Sequence, residues 1–490
     1  MKSLLDKLHT PTWLFWLLIA ILVLRIPTFF EPYAYGDEMI YLTLGEAIRQ
    51  GIPLYKGVHD NKPPLLYILA AIAGSLFWFK IILTIWCLVT IYLFGRLTAT
   101  LYPKNSRLQK IAVIIFSILT TIPLLEGNIA NAEIFMIGLT IAAFIILLSK
   151  RASNKNLLLA GILFSAATLF KVPAMFDIPV IIFYWLITSK INKKSIIKIS
   201  RKALFITIGL AAPIFLTFVW YFLRGAFKEY LIAAFLQNVG YLSSWRPEDV
   251  QKSFLIRNTP LLARAGVVTA GVFILYLKRK RLSKQFIFLT LWLLFSLFAV
   301  TLSERPYPHY LIQSVPATSI LLAMFFTLKT IEQVLVIIPL FIFSFVPYFY
   351  NFWYYPTLPY YERFVKYING KVSSESFANS FNKNTTRNYK VADFIVQSTS
   401  PEDKVFVWGD TATIYALSKR FPPIKYIADY HVRDFYSIES LVRSLTSNPP
   451  RLIIMLPDSG TPIDLYFFVR ENYVLIEEID GAEIWSPVTI

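Results

Sequence analysis

Charge is scarce in this chain. Asp, Glu, Lys and Arg make up 16% of 490 residues, against 56% hydrophobic and 16% aromatic, at a mean hydropathy of +0.55. One soluble core cannot bury that much apolar surface, and runs near twenty apolar residues recur along the chain. A water-soluble globular protein is excluded, and a polytopic membrane protein is implied. Cysteine is almost missing: Cys87 stands alone inside an apolar run, which rules out an intramolecular disulfide or a multi-cysteine metal site. Acidic residues are outnumbered 30 to 48, for a net charge of +18. Such an excess can signal nucleic acid, but here Lys and Arg gather in short loops between apolar spans, as cytoplasmic loops do. No nucleic-acid partner is expected.

The apolar runs define about eleven transmembrane helices, near 12–30, 79–98, 109–125, 133–149, 157–172, 174–189, 203–223, 259–277, 285–302, 307–328 and 331–349. The first follows Lys2 and Lys7 but lacks a small-residue cleavage site, so it reads as a retained helix. Basic loops at 96–110, 150–155, 190–202 and 278–284, with Lys329, belong on the cytoplasmic side together with the N-terminus. The run 63–78 is short for a crossing, and counting it as one would invert every later basic loop. It is expected as an outer juxtamembrane or re-entrant helix, opened by Pro63 and Pro64. The stretch 227–245, aromatic and amphipathic, reads as an interfacial helix.

That topology sorts the carboxylates. Fourteen precede residue 352; Asp6 and Glu332 fall inside, and the other twelve fall outside or at the outer boundary. The fold class is therefore an all-α polytopic membrane bundle with a C-terminal extracytoplasmic α/β domain. Its divisions are a membrane domain over 1–352, with a first outer loop at 31–78, a linker over 353–388 and the α/β domain over 389–490. In the tail, helices are expected near 389–399, 411–419 and 435–446, strands at 404–408 and 451–456, and a closing hairpin at 473–485 around Asp480-Gly481. No glycine-rich phosphate loop or catalytic triad is visible there.

Asp37-Glu38 after the first span, Gly51, Pro53-Leu54-Tyr55, Asp60-Asn61-Lys62-Pro63-Pro64-Leu65, and Asn131-Ala132-Glu133 in the second outer loop together resemble the bacterial membrane glycosyltransferases of the C-type fold. The pattern is similar to the family containing protein O-mannosyltransferases and lipid A aminoarabinose transferases; Lys171 and Pro308-His309-Tyr310 are further matches. The resemblance implies inverting transfer of a sugar from a polyprenyl-phosphate donor to a lipid, glycan or protein acceptor at the outer face of the bacterial inner membrane. Membrane lipids would surround the bundle and the donor's tail.

The residues present suit that chemistry. An acceptor hydroxyl needs a carboxylate base, for which Asp37 is the first choice, with Glu38 as its neighbour or a metal ligand. A departing lipid phosphate needs positive potential, for which Lys62 stands first, followed by His309, Lys171 and Arg305. Glu133, Asp60 and Asn131 are candidates for an acceptor or second-loop site. Each has a plainer reading. Asp37 and Glu38 can be solvated charges, Lys62 can snorkel, Lys171 and Arg25 can snorkel or form a structural ion pair, and Glu133 can simply match a helix dipole. A divalent cation is left open, since no tight spacing groups His59, Asp60 and Glu38, and Asn61 stands where some relatives carry an acid. The rival classes are a transporter or flippase and a polysaccharide polymerase.

Overall fold

A computed structural model of the chain describes residues 11–149, 153–240 and 253–488. It divides into two compact units: one formed by the residues up to Thr28 with Lys80–Trp220 and Phe235–Thr357, the other by Phe29–Phe79, Tyr221–Ala234 and the chain from Leu358 onward.

The first unit is helical. Among the described residues, seven helical segments are long and apolar enough to cross a membrane: Thr12–Phe30 at the unit's boundary, Leu76–Leu101, Lys193–Leu223, Phe254–Lys278, Lys284–Thr301, Pro308–Thr327 and Ile331–Phe349. Three shorter apolar helices, Ala132–Leu148, Asn154–Phe170 and Val172–Thr188, join them, and the helix Ser106–Leu119 completes the segments on which the eleven expected spans fall. Its start is fixed by Asn105, whose side chain accepts the Leu108 N–H at 3.0 Å.

Burial separates the inner helix from the outer ones. In Lys284–Thr301, 83% of the most apolar window is buried, against 6% in Phe254–Lys278 and 11% in Lys193–Leu223. A helix apolar all round and buried all round is core; apolar and uncovered, it faces lipid. Trp292 of the inner helix packs edge-on to Phe144 at 4.8 Å. Gly161 and Gly209 let two helices touch backbone to backbone, for a Cβ on Gly161 would meet the Ile206 carbonyl oxygen at 2.2 Å.

The second unit joins Phe29–Phe79 to the C-terminal region. Helices Gly36–Arg49 and Leu65–Ala73 pack through Gly45, where a Cβ would lie 2.6 Å from the Ala71 nitrogen. At nine residues and about 1.5 Å per residue, Leu65–Ala73 cannot cross a bilayer, in keeping with the juxtamembrane placement expected of 63–78. Four strands follow, β1 (Val405–Trp408), β2 (Leu452–Met455), β3 (Tyr473–Ile479) and β4 (Ala482–Pro487), in the order β1-β2-β4-β3. β1 and β2 are parallel, with Val405 opposite Leu452; β4 runs antiparallel to both β2 and β3. Asp480 and Gly481 turn the hairpin with φ of 48° and 82°, the left-handed pair a two-residue turn favours. Trp408, Leu441, Leu445, Ile453, Leu465 and Trp485 form the core.

The tail helices appear near their expected places, as Thr385–Ser398, Thr413–Ser418 and Ile438–Ser447. Asp429–Phe435 and Ile463–Asn472 were not foreseen. The stretch 353–388, expected as a linker, carries helices Thr357–Ile368 and Ser374–Asn379. Tyr360 donates to Glu31 at 2.5 Å, Phe364 packs on Phe30, and Ser373 caps the second helix. The partners are far away in sequence, so local composition does not reveal them. The stretch 227–245 is helical as Phe227–Leu231, a π turn Ile232–Leu236 and Gln237–Gly240; 241–245 lies outside the described residues, as do Asp6, Glu248 and Asp249.

Candidate active site

Two polar clusters gather the candidate residues, one in each unit. In the second unit, Asp37 and Glu38 sit in the first turn of helix Gly36–Arg49, where negative charge meets the positive end of the helix dipole. They part company in exposure: the Asp37 side chain is 34% exposed, whereas Glu38 is buried. Asp37 Oδ2 accepts from the Tyr41 hydroxyl, one turn on, at 2.9 Å, and lies 4.0 Å from Lys62 Nζ. The same ammonium is 3.7 Å from Asp60 Oδ2 and 4.9 Å from the centre of the Tyr41 ring. Asp37, Asp60 and Lys62 therefore form one carboxylate–ammonium–carboxylate group.

Tyrosines hold its backbone. Tyr67, in the helix that follows Pro63-Pro64, donates to Asp60 Oδ2 at 2.7 Å and accepts the Lys62 N–H at 3.2 Å. Tyr55 donates to the Lys62 carbonyl at 2.9 Å and packs on Tyr230, which itself stacks on Tyr221. Burial alone would push the Asp60 carboxyl up. Lys62, His431, the Tyr67 hydroxyl and the Asn61 N–H together hold it below the ordinary carboxylate value. Asp60 is thus buried and charged beside Lys62.

The loop is also tied to the C-terminal region of the same unit. The His59 N–H donates to the Lys425 carbonyl at 2.9 Å, the Tyr33 N–H to the Tyr389 hydroxyl at 3.0 Å, and the Thr43 hydroxyl to the Ala412 carbonyl at 3.4 Å.

In the first unit, Glu133 starts helix Ala132–Leu148 and is ion-paired with Lys171, whose ammonium sits 3.6 Å from the Tyr310 ring centre. His309 joins two carboxylates, with Nδ1 2.5 Å from Glu126 Oε2 and Nε2 3.9 Å from Glu133 Oε1. Asn131 donates to the same Glu126 oxygen at 2.8 Å. Arg25 donates to the Gly127 carbonyl and Thr84, and Lys80 to the Asn128 carbonyl; these Arg25 partners are uncharged rather than the acidic partner of an ion pair. Arg305 is exposed on the chain leading to His309.

Each cluster brings some candidates together. Tyr41, Tyr55, Tyr67, Glu126 and His431 were not singled out by sequence. Tyr41 had a readable signal, its i, i+4 spacing from Asp37; His431 and Glu126 had none, being brought in by tertiary contacts. Among the described residues, no three His, Cys, Asp or Glu side chains are grouped to hold a metal ion, so the divalent cation left open by the sequence has no ligand set among them.

The architecture is the C-type membrane-glycosyltransferase fold that the sequence motifs pointed to. ArnT from Cupriavidus metallidurans bound to undecaprenyl phosphate superimposes with a TM-score of 0.57 at 12% identity, covering 97% of this chain and 98% of that one. The apo state of the same protein gives 0.55 at 14% identity, covering 96% and 97%. The archaeal oligosaccharyltransferase AglB from Archaeoglobus fulgidus, in complex with an inhibitory peptide and a dolichol-phosphate, aligns at 0.48 and 11% identity over 99% of this chain and 75% of that one. No protein-family model matches the chain, and no curated sequence matches it.

Proposed function

We propose that this protein is an integral-membrane glycosyltransferase that moves a sugar from a polyprenyl-phosphate donor to an acceptor on the extracytoplasmic side of a bacterial inner membrane. The observation that carries the reading is the pairing of a partly exposed carboxylate, Asp37, with the ammonium of Lys62 at 4.0 Å, on a fold shared with a protein solved bound to undecaprenyl phosphate.

The reaction divides between the two groups. An acceptor hydroxyl gives its proton to Asp37 as its oxygen attacks the anomeric carbon from the face opposite the phosphate. The carbon–oxygen bond to phosphate breaks, the electron pair leaves with the polyprenyl phosphate, and configuration inverts. Lys62 meets the charge that develops on the leaving phosphate, a preorganised interaction that strengthens in the transition state. Its position is set by Asp60, Tyr67 and Tyr55 before substrate arrives.

Lys171 and His309 are already engaged with Glu133 and Glu126. This favours Lys62 as the phosphate contact of its own unit, while Glu133 and Asn131 hold the cluster of the other unit in shape, where Lys171, His309 and Arg305 remain the candidate anion-binding groups. Glu38, buried in the same helical turn as Asp37, supports that residue.

A transporter or flippase is the alternative, and the buried network of Glu126, His309, Glu133 and Lys171 is what favours it, since ionisable groups inside a membrane often mark a transport path. The mass of the product formed by purified protein from a panel of labelled polyprenyl-phosphate sugars separates the two. A product heavier than the acceptor by one sugar supports transfer; unchanged donor and acceptor, with donor moved across a vesicle membrane, supports transport.

A further inference from the structure

His59 and His431 lie edge to face, ring centroids 5.8 Å apart at 87°. His59 immediately precedes Asp60; His431 is in helix Asp429–Phe435 of the same unit. Both are buried, and neither His59 Nε2 nor His431 Nδ1 has a hydrogen-bond partner. Their neighbours are largely aromatic: Tyr426 and Phe435 pack on His59 at 5.3 and 5.5 Å, and Tyr430 on His431 at 4.3 Å. A phenylalanine at either position would satisfy such a box without leaving a buried nitrogen unpaired, and an unpaired buried polar atom costs free energy. Packing alone therefore does not account for two imidazoles.

The charged surroundings are mixed. Asp60, Lys62, Asp37 and Asp434 act on His431; His431, Asp60 and Lys425 act on His59, and Lys425 in turn faces Glu229. Burial is the largest influence on both rings and pushes both below the ordinary imidazole value, His59 to about 4. His431 also disfavours charge on His59. Asp60 pulls the other way, but it is committed to Lys62, Tyr67 and the Asn61 N–H. At neutral pH the rings are uncharged and pack. A charged ring would sit in an aromatic box beside a second imidazole and close to Lys62.

We propose that His59 and His431 are positioning residues for the phosphate clamp: uncharged, they pin the segment carrying Asp60 and Lys62 against residues 425–435, and protonation of either ring releases it. The proposal rests on the reading of Lys62 as the phosphate contact. Its consequence is a donor KM that rises on acidification while kcat changes less, because the clamp must be re-formed by each donor that binds.

Hydrogen exchange on the full chain in lipid nanodiscs, at pH 7.5 and pH 5.0 and corrected for intrinsic rates, tests it. Peptides over 55–64 and 425–435 are expected to exchange about tenfold faster at the lower pH, while peptides over β1 and β2 hold their protection. In a His59→Phe/His431→Phe protein that acid response disappears, and the rise in donor KM disappears with it. Equal protection of the wild-type peptides at both pH values overturns the proposal, as does an unchanged acid response in the variant. Should the double variant fail to fold, His431→Gln serves in its place and the wild-type comparison decides on its own. An exchange response without sugar transfer from any donor overturns the glycosyltransferase reading and leaves the histidine pair standing.

Discussion

Lys62 holds its ammonium 4.0 Å from Asp37 and 3.7 Å from Asp60, so one cation is shared by a partly exposed carboxylate and a buried one. The asymmetry assigns work to each acid. On the proposed reading Asp60, fixed by Tyr67 and the Asn61 N–H, aims the lysine, and the partly exposed Asp37 receives the acceptor proton.

Removing the ammonium is predicted to act on turnover more than on binding. Lys62→Met is expected to lower kcat by about 10²- to 10³-fold, the usual scale for one preorganised electrostatic contact, with Lys62→Arg recovering part of the loss. Steady-state kinetics at varied donor concentration check this. A variant with unchanged kcat would take the phosphate role away from Lys62.

Tyr67→Phe deletes the hydroxyl that serves both Asp60 Oδ2 and the Lys62 N–H. Leaving buried polar groups short of a partner is expected to cost about 1–3 kcal/mol, seen as a lower thermal midpoint together with a raised donor KM. A Tyr67→Phe protein as stable and as active as the parent would show that the tyrosine only fills space.

In the Glu133–Lys171 ion pair Glu133 is buried and Lys171 mostly so, and breaking one side is expected to be worse than removing both. Glu133→Gln or Lys171→Met alone should destabilise by about 3–5 kcal/mol, and the double variant by less than either. Thermal unfolding of the three proteins in detergent gives the coupling. Additive losses would mean that the two charges do not sense each other.

The contribution of His59 to stability should fall on mild acidification. His59 is lowered to about 4 from an ordinary value near 6.5, so the folded chain prefers it uncharged. Its contribution is complete above about 6.5 and is lost as pH drops toward 4, at up to about 1.4 kcal/mol per unit. Asp60 has the same sign, but its window lies below the ordinary carboxylate value, so between pH 6.5 and 5 the difference between wild type and a His59 variant reports the imidazole. Thermal midpoints of wild type and His59→Phe across that range test the assignment; parallel curves would refute it.

The apolar runs announced the bundle because a bilayer demands continuous hydrocarbon, and each of the eleven expected spans lands on a helical segment. The short helix after Pro63-Pro64 and the hairpin at Asp480-Gly481 were readable for equally local reasons, proline geometry and a left-handed turn. The group of Asp37 and Lys62 was legible from residue type and spacing. What could not be read was contact over distance: Tyr360 on Glu31, which makes helix out of an expected linker, His431 beside His59, and Glu126 on His309. Such pairs depend on the packed chain, and nothing in the flanking residues marks them.

The most direct test of the account is single-turnover transfer by reconstituted wild-type protein and Asp37→Asn, using a labelled polyprenyl-phosphate sugar that the wild type accepts. The account predicts an inverted product from the wild type and a rate about 10²- to 10⁴-fold lower in the variant, with donor binding within a few-fold of normal. Transfer at the full wild-type rate by Asp37→Asn would contradict it.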